Sequence, residues 1–291
     1  MKRVIEEKDR LSGRTLAAFL ALTFGLTWGG SALLVLFYEQ ITALTGEVGP
    51  SNPLIIVMIY APGIAGIVLI LRYFGLAGLK SFLRRLTLWR ASRAWWLFLI
   101  IGIPAVVYTG AAIKGSSDFF PFSSWTEALP ALALALFLGP IEEFGWRGLA
   151  LPLLQRRFAP LWAGLILGII WAVWHIPALI FNGMPQSTWD IAPFMLGIVA
   201  IAVILTQLFN SSRGSLLIAV LYHFQMMNPL WPDAQPWDNF LWIAIAVVFV
   251  ALNWRKMLDR SSAVTRVLMP EVSAATEVTG GLDATPSAAL K

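Results

Sequence analysis

The chain has 291 residues, of which 58% are hydrophobic and 13% charged, with a mean hydropathy of +0.74. Soluble domains run at about 45–50% apolar and about 25% charged, so this composition excludes an ordinary soluble domain and fits a polytopic membrane protein. The net charge of +5 is not a nucleic-acid signal, because the basic residues cluster in short loops between apolar runs; the absence of cysteine removes disulfides and thiolate chemistry, and no GxGxxG or P-loop pattern occurs.

A spanning helix needs about 20 mainly apolar residues. The hydropathy pattern predicts eight spans, at 15–38, 53–74, 94–113, 128–152, 160–181, 190–209, 215–230 and 238–257. The first follows Met1-Lys2-Arg3 and is too long for the apolar region of a cleaved leader, so it is read as a retained span. The seventh is short and ends in Asn228-Pro229.

Positive charge sets the orientation. Lys2, Arg3, Lys8, Arg10 and Arg14 precede the first span, and Arg72, Lys80, Arg84, Arg85, Arg90 and Arg93 lie between the second and third. Arg156, Arg157 and Arg213 follow the fourth and sixth spans, and Arg255, Lys256, Arg260 and Arg266 follow the eighth. With eight spans all of these share one side, which the positive-inside rule makes the cytoplasm, and both termini lie there. The opposite loops carry Glu39, Glu47, Asp118, Asp190, Asp233 and Asp238 against Lys114.

Residues 76–96 read either as an interfacial helix on anionic lipid or as a plain basic loop, with Lys80, Arg84 and Arg85 at helical spacing beside Leu79, Phe82, Leu83 and Leu86. The domain division is a membrane domain over 1–260 and a disordered cytoplasmic tail over 261–291, which is rich in Ala, Ser, Thr and Gly. No internal repeat supports a repeat-built transporter.

Chemistry concentrates in three spans. Ile141-Glu142-Glu143-Phe144-Gly145-Trp146-Arg147-Gly148 puts three ionisable groups inside the fourth. Each costs about 2.5–3.5 kcal/mol at membrane depth on insertion scales, so three within six residues need a reason. Glu143 and Arg147 are i,i+4 and pair along one face, which holds Glu143 charged. Glu142 points about 100° away, with less compensation, and fits a general base. The alternative is an interhelical ion-pair network without chemistry.

The fifth span holds Trp171 and His175 at i,i+4, followed by Pro177; the seventh holds His223, the second of the chain's two histidines. His223 suits stabilisation of developing negative charge or metal ligation. Asn228 lies about 140° from His223 on a regular helix, and Pro229 disfavours the α conformation there, so its amide can be redirected. Pro140, Pro177 and Pro229 free backbone carbonyls near these residues. At membrane depth that is tolerated against protein or water, which points to a wet cavity among the fourth, fifth and seventh spans.

These residues resemble the CAAX protease and bacteriocin-processing family of intramembrane proteases. The family's first motif, two glutamates, then three residues, then an arginine, matches Glu142, Glu143 and Arg147. Its second, an aromatic residue upstream of a histidine, looks like Trp171 and His175, where the family often has Phe. Its third has a histidine with Asn or a similar residue four positions on; His223 matches, but that position holds Met227 and Asn228 comes one later. The similarity covers about residues 126–230. It implies an all-α membrane bundle of about eight helices, with a cavity opening toward the cytoplasm and the lipid. It also implies peptide-bond hydrolysis in a membrane-tethered or lipid-modified substrate. Glu142 and His175 would activate a water, and His223, with Asn228, would stabilise the oxyanion. The family is commonly labelled metalloprotease. The expectation is that no cofactor is required, with zinc on Glu142, His175 and His223 kept open. A catalytically reduced scaffold or bacteriocin-immunity-type protein is the second reading, and a proton-coupled transporter the third.

Overall fold

The computed structural model describes residues 11–116 and 120–269. Lys2, Arg3, Lys8, Arg10, Asp118 and the tail from 270 onward lie outside the described residues. Among the described residues every regular element is helical. We number the helices α1 (Gly13–Leu36), α2 (Tyr38–Thr45), α3 (Pro53–Leu83), α4 (Arg93–Lys114), α5 (Trp125–Gln155), α6 (Pro160–Ile180), α7 (Ile191–Ser211), α8 (Leu216–Met226) and α9 (Trp237–Leu258). Seven of them are long and apolar enough to cross a membrane: all but α2 and α8. The chain is a multi-pass membrane protein built as a helix bundle. The seventh expected span corrects to an 11-residue helix, because Leu216–Met226 is followed by a non-helical turn at Met227.

Local chemistry sets where the helices start. Ser12 caps α1 through a reciprocal pair: Arg14 N–H donates to its hydroxyl at 3.2 Å, and Ser12 N–H donates to the Thr15 hydroxyl at 3.1 Å. Asn52 caps α3 by accepting from Leu54 and Ile55, while its amide donates to the carbonyls of Thr45, Gly46 and Glu47 and so pins the α2–α3 turn. Pro53 and Pro160 occupy first turns, where the missing N–H costs nothing. Ser215 caps α8 through the Ile218 N–H at 3.1 Å.

α3 breaks at Gly75, whose φ of 64° and ψ of −163° suit a residue without a side chain. The helical piece beyond it carries Lys80 and Arg84 outward, as an interfacial helix should, but Arg85 turns inward and is 2% exposed. Its guanidinium donates to the carbonyls of Gly148 at 2.7 Å, Gly214 at 2.9 Å and Val267 at 3.0 Å.

α5 is the element on which the site is built, and it is not a regular helix. An α segment to Leu138 gives way to a 3₁₀ turn over Gly139–Ile141, a short α turn over Glu142–Gly145 and a π turn over Trp146–Ala150. Such π turns cluster at functional places because they leave carbonyls open and re-aim side chains. Here the Phe137 carbonyl is taken by the Tyr60 hydroxyl at 2.8 Å and the Gly148 carbonyl by Arg85. The α3–α5 interface is close-packed through small residues: a Cβ on Gly145 would sit 2.2 Å from the Pro62 carbonyl oxygen, and one on Gly63 would sit 2.6 Å from that of Ile141.

The segment directly after α9 packs on the bundle. Val264, Thr265 and Val267 lie against the bundle, held through their carbonyls by Gln155 at 2.8 Å, Arg156 at 3.2 Å and Arg85, and Val267 is fully buried. The composition of 261–291 hides this, because the anchors are polar groups on other helices.

Candidate active site

Glu142, Glu143 and Arg147 are 3%, 0% and 0% exposed. The i,i+4 pair forms as the spacing predicts, with Arg147 Nη1 2.8 Å from Glu143 Oε1. The same oxygen lies 2.7 Å from His223 Nδ1, which ties α8 to α5. Arg147 also stacks over the Trp171 ring at 4.6 Å, so its charge meets both a carboxylate and an aromatic face.

Glu142 is held differently. Its Oε2 accepts from two indoles, Trp171 Nε1 at 3.0 Å and Trp146 Nε1 at 3.3 Å. Trp146 is one helical turn on, and Trp171 comes from α6. One carboxylate oxygen is thus fixed by neutral donors. Among the described residues no charged group is bonded to Glu142, in contrast to Glu143.

His175 sits where α6 changes direction before Pro177. Its Nδ1 lies 2.8 Å from the Trp171 carbonyl oxygen, which can only accept, so Nδ1 carries the proton and the Nε2 of the neutral ring is an acceptor. Trp171 touches both histidines edge-on, with ring centroids 5.4 Å from His175 and 5.5 Å from His223.

Glu142, His175 and His223 line one cavity of about 220 Å³. The sequence places its walls on three spans, and the structure widens that to seven. Thr27 of α1, Met58 of α3 and Ile198 of α7 line it, as do Asp238, Asn239 and Trp242 of α9. Asp238, read from the sequence as a loop acid, reaches the wall, so ionisable groups at the cavity are not confined to the three spans first singled out. Sequence reasoning missed α9 because Asp238, Asn239 and Trp242 look like an ordinary polar helix start.

Asn228 is placed apart from these residues. It is not among the residues lining the cavity; its side chain accepts from Leu230 N–H at 3.0 Å and donates to Gln225 Oε1 at 3.3 Å. The helix ends at Met226, so the redirection attributed to Pro229 turns the amide into its own turn. Met227 lines the cavity instead. It packs on Gly139 so tightly that a Cβ there would lie 1.8 Å from Met227 Sδ and 3.0 Å from His223 Nε2.

Among the described residues no three His, Cys, Asp or Glu side chains are grouped so as to hold one metal.

Residues 123–228 match the family described as Type II CAAX prenyl endopeptidase Rce1-like. The likeness to the CAAX protease family is shown. The match contains all three motifs with their histidines. The chain is also 32% identical over 142 residues to the CAAX prenyl protease 2 of Methanococcus maripaludis, an overlap covering 44% of this chain and 52% of that protein. The chain thus spans about half the length of the curated relative that it matches.

Proposed function

We propose that the protein is an intramembrane endopeptidase that hydrolyses a peptide bond in a membrane-tethered or lipid-modified protein or peptide. One observation carries the reading: Glu142, His175 and His223, from three separate helices, line one cavity, each with one polar atom fixed by the protein. Costly groups gathered at one buried hollow fit a catalytic site better than a scattered ion-pair network. The likeness to the CAAX prenyl protease 2 of Methanococcus maripaludis supports the same reading.

In this mechanism Glu142 takes a proton from a water, aided by the acceptor Nε2 of His175, as the water attacks the scissile carbonyl carbon. The oxyanion forms against His223. Its Nε2 donates when the ring is an imidazolium, and the charges then close: Glu142 and Glu143 against Arg147 and His223. Glu142 returns the proton to the leaving nitrogen as the C–N bond breaks, which yields a carboxylic acid and an amine, and the acid then ionises by passing its proton to water or to the amine. No step asks for a metal. The apolar wall, with Ile55, Met58, Ile59, Phe181 and Met184, suits a lipid-bearing or apolar substrate segment. The reading places the protein in the cell membrane with its basic loops toward the cytoplasm.

Reconstituted protein and a lipidated peptide, followed by mass spectrometry, test the reading. Wild-type protein cleaves, while Glu142→Gln and His175→Ala each abolish cleavage with the fold intact. Absence of cleavage by the wild type, or cleavage retained in both variants, overturns it. A catalytically reduced scaffold is the second reading, favoured by Met227 on the wall and Asn228 off it.

A further inference from the structure

The cavity contains polar atoms that the proposed chemistry does not use. Most are satisfied within the protein. The Thr27 hydroxyl donates to the Met58 carbonyl at 2.8 Å and accepts from Trp174 Nε1 at 2.9 Å. Asn239 donates its amide to Gln235 Oε1 at 2.5 Å, and Asp238 accepts from Gln235 Nε2 at 3.1 Å. Two atoms stand apart. Trp242 is fully buried and lines the cavity, and its indole N–H bonds to nothing among the described residues. Gln186 lines the same cavity from the loop after α6, and its buried Oε1 is likewise without a partner.

Buried polar atoms are nearly always hydrogen-bonded, so each exception asks for an explanation. A tryptophan needs no N–H to fill space, since a phenylalanine would pack the same wall. One unpartnered donor and one unpartnered acceptor, each covered in this structure but carried by a residue that lines the cavity, match what a peptide main chain offers: a carbonyl that accepts and an N–H that donates. A helical peptide has spent both groups internally, whereas an extended one presents them sideways. A lipid chain has neither group.

We propose that Trp242 and Gln186 bind the backbone of an extended substrate segment, Trp242 donating to a substrate carbonyl and Gln186 accepting from a substrate N–H. The inference rests on the endopeptidase reading and sharpens its substrate class: the segment entering the cavity is unwound polypeptide, recognised through its main chain and not only through an attached lipid. Both residues bind and position the segment and take no part in proton transfer.

The test is binding, so that it does not depend on turnover. A fluorescent lipidated peptide is titrated by anisotropy into the full-length detergent-solubilised protein, its Trp242→Phe and Gln186→Leu variants, and their unmutated background with Glu142→Gln. A matched set of peptides has each backbone amide near the labelled site replaced in turn by an ester, which deletes one N–H. Each variant binds about tenfold more weakly. One ester position costs the Trp242-intact, Gln186-intact protein about tenfold and costs Gln186→Leu less than twofold. Variants that bind like the parent, or an ester penalty that is the same in Gln186→Leu, overturn the proposal. Equal thermal midpoints show that the variants fold; if Trp242→Phe does not fold, the Gln186 arm decides alone, because Gln186 lies in a short 3₁₀ turn outside the nine helices of the bundle. Cleavage by the wild type is scored in parallel. Lost cleavage with the coupling retained sinks the endopeptidase reading and leaves main-chain recognition standing, while a parent that fails to bind the peptide sinks both.

Discussion

Glu143 and His223 are eighty residues apart in sequence and meet at 2.7 Å between Oε1 and Nδ1. That contact makes Glu143 a hub, since Arg147 reaches the same oxygen at 2.8 Å. Removing one member of such a buried set leaves an uncompensated charge. Arg147→Met is expected to cost about 3–5 kcal/mol of stability, and pairing it with Glu143→Gln to recover most of that loss. Unfolding in detergent measures both; equal losses for the single and double variants would refute the hub.

Trp171 deserves a separate experiment because it contacts Glu142, His175 and His223 at once. Trp171→Phe keeps the aromatic body, and the His175 contact is to the backbone. What is lost is the donor to Glu142, worth about 1.5–3 kcal/mol for a charged acceptor. Turnover is expected to fall about 10- to 100-fold with KM little changed. A rise in KM at constant kcat would assign Trp171 to substrate binding instead.

The Gly139–Met227 contact leaves no room for a methyl group. Gly139→Ala is expected to displace Met227 and, behind it, His223, and to lower kcat about tenfold. Met227→Ala in the same chain is expected to restore it. If the double variant is no better than the single, crowding at His223 is not the cause.

Arg85 joins three carbonyls from the π turn, the α7–α8 loop and the segment after α9. Lysine cannot fork to all three. Arg85→Lys is therefore expected to loosen the segment around Val267 and speed trypsin cleavage after Arg260 and Arg266, while the bundle stays folded. Unchanged proteolysis would show that the other anchors suffice.

Much of this was legible in the sequence, for stated reasons. Span lengths follow from hydropathy, and the Glu143–Arg147 pair from i,i+4 spacing. The three-way meeting of Glu142, His175 and His223 followed from the cost of polar atoms in lipid. What escaped was tertiary. The indoles that hold Glu142 come one turn on and from another helix. Arg85 looks like one more headgroup-facing base until its carbonyl partners are placed. Asn228 looked available because its turn closes only when Leu230 and Gln225 are in position. The polar start of α9 carried no signal of which way it faces.

The π turn at Trp146–Ala150 has a genetic corollary. It holds one residue more per turn than an α turn, so deleting a single residue there would mend the local hydrogen bonding and look harmless. Because the wide turn absorbs the extra residue, the helix downstream would keep its phase, and Gln155 would still reach Asn210 and Val264. In the regular α segments on either side the same deletion would rotate every later position by about 100°. A single-residue deletion should therefore be tolerated better in this turn than in the α segments that flank it.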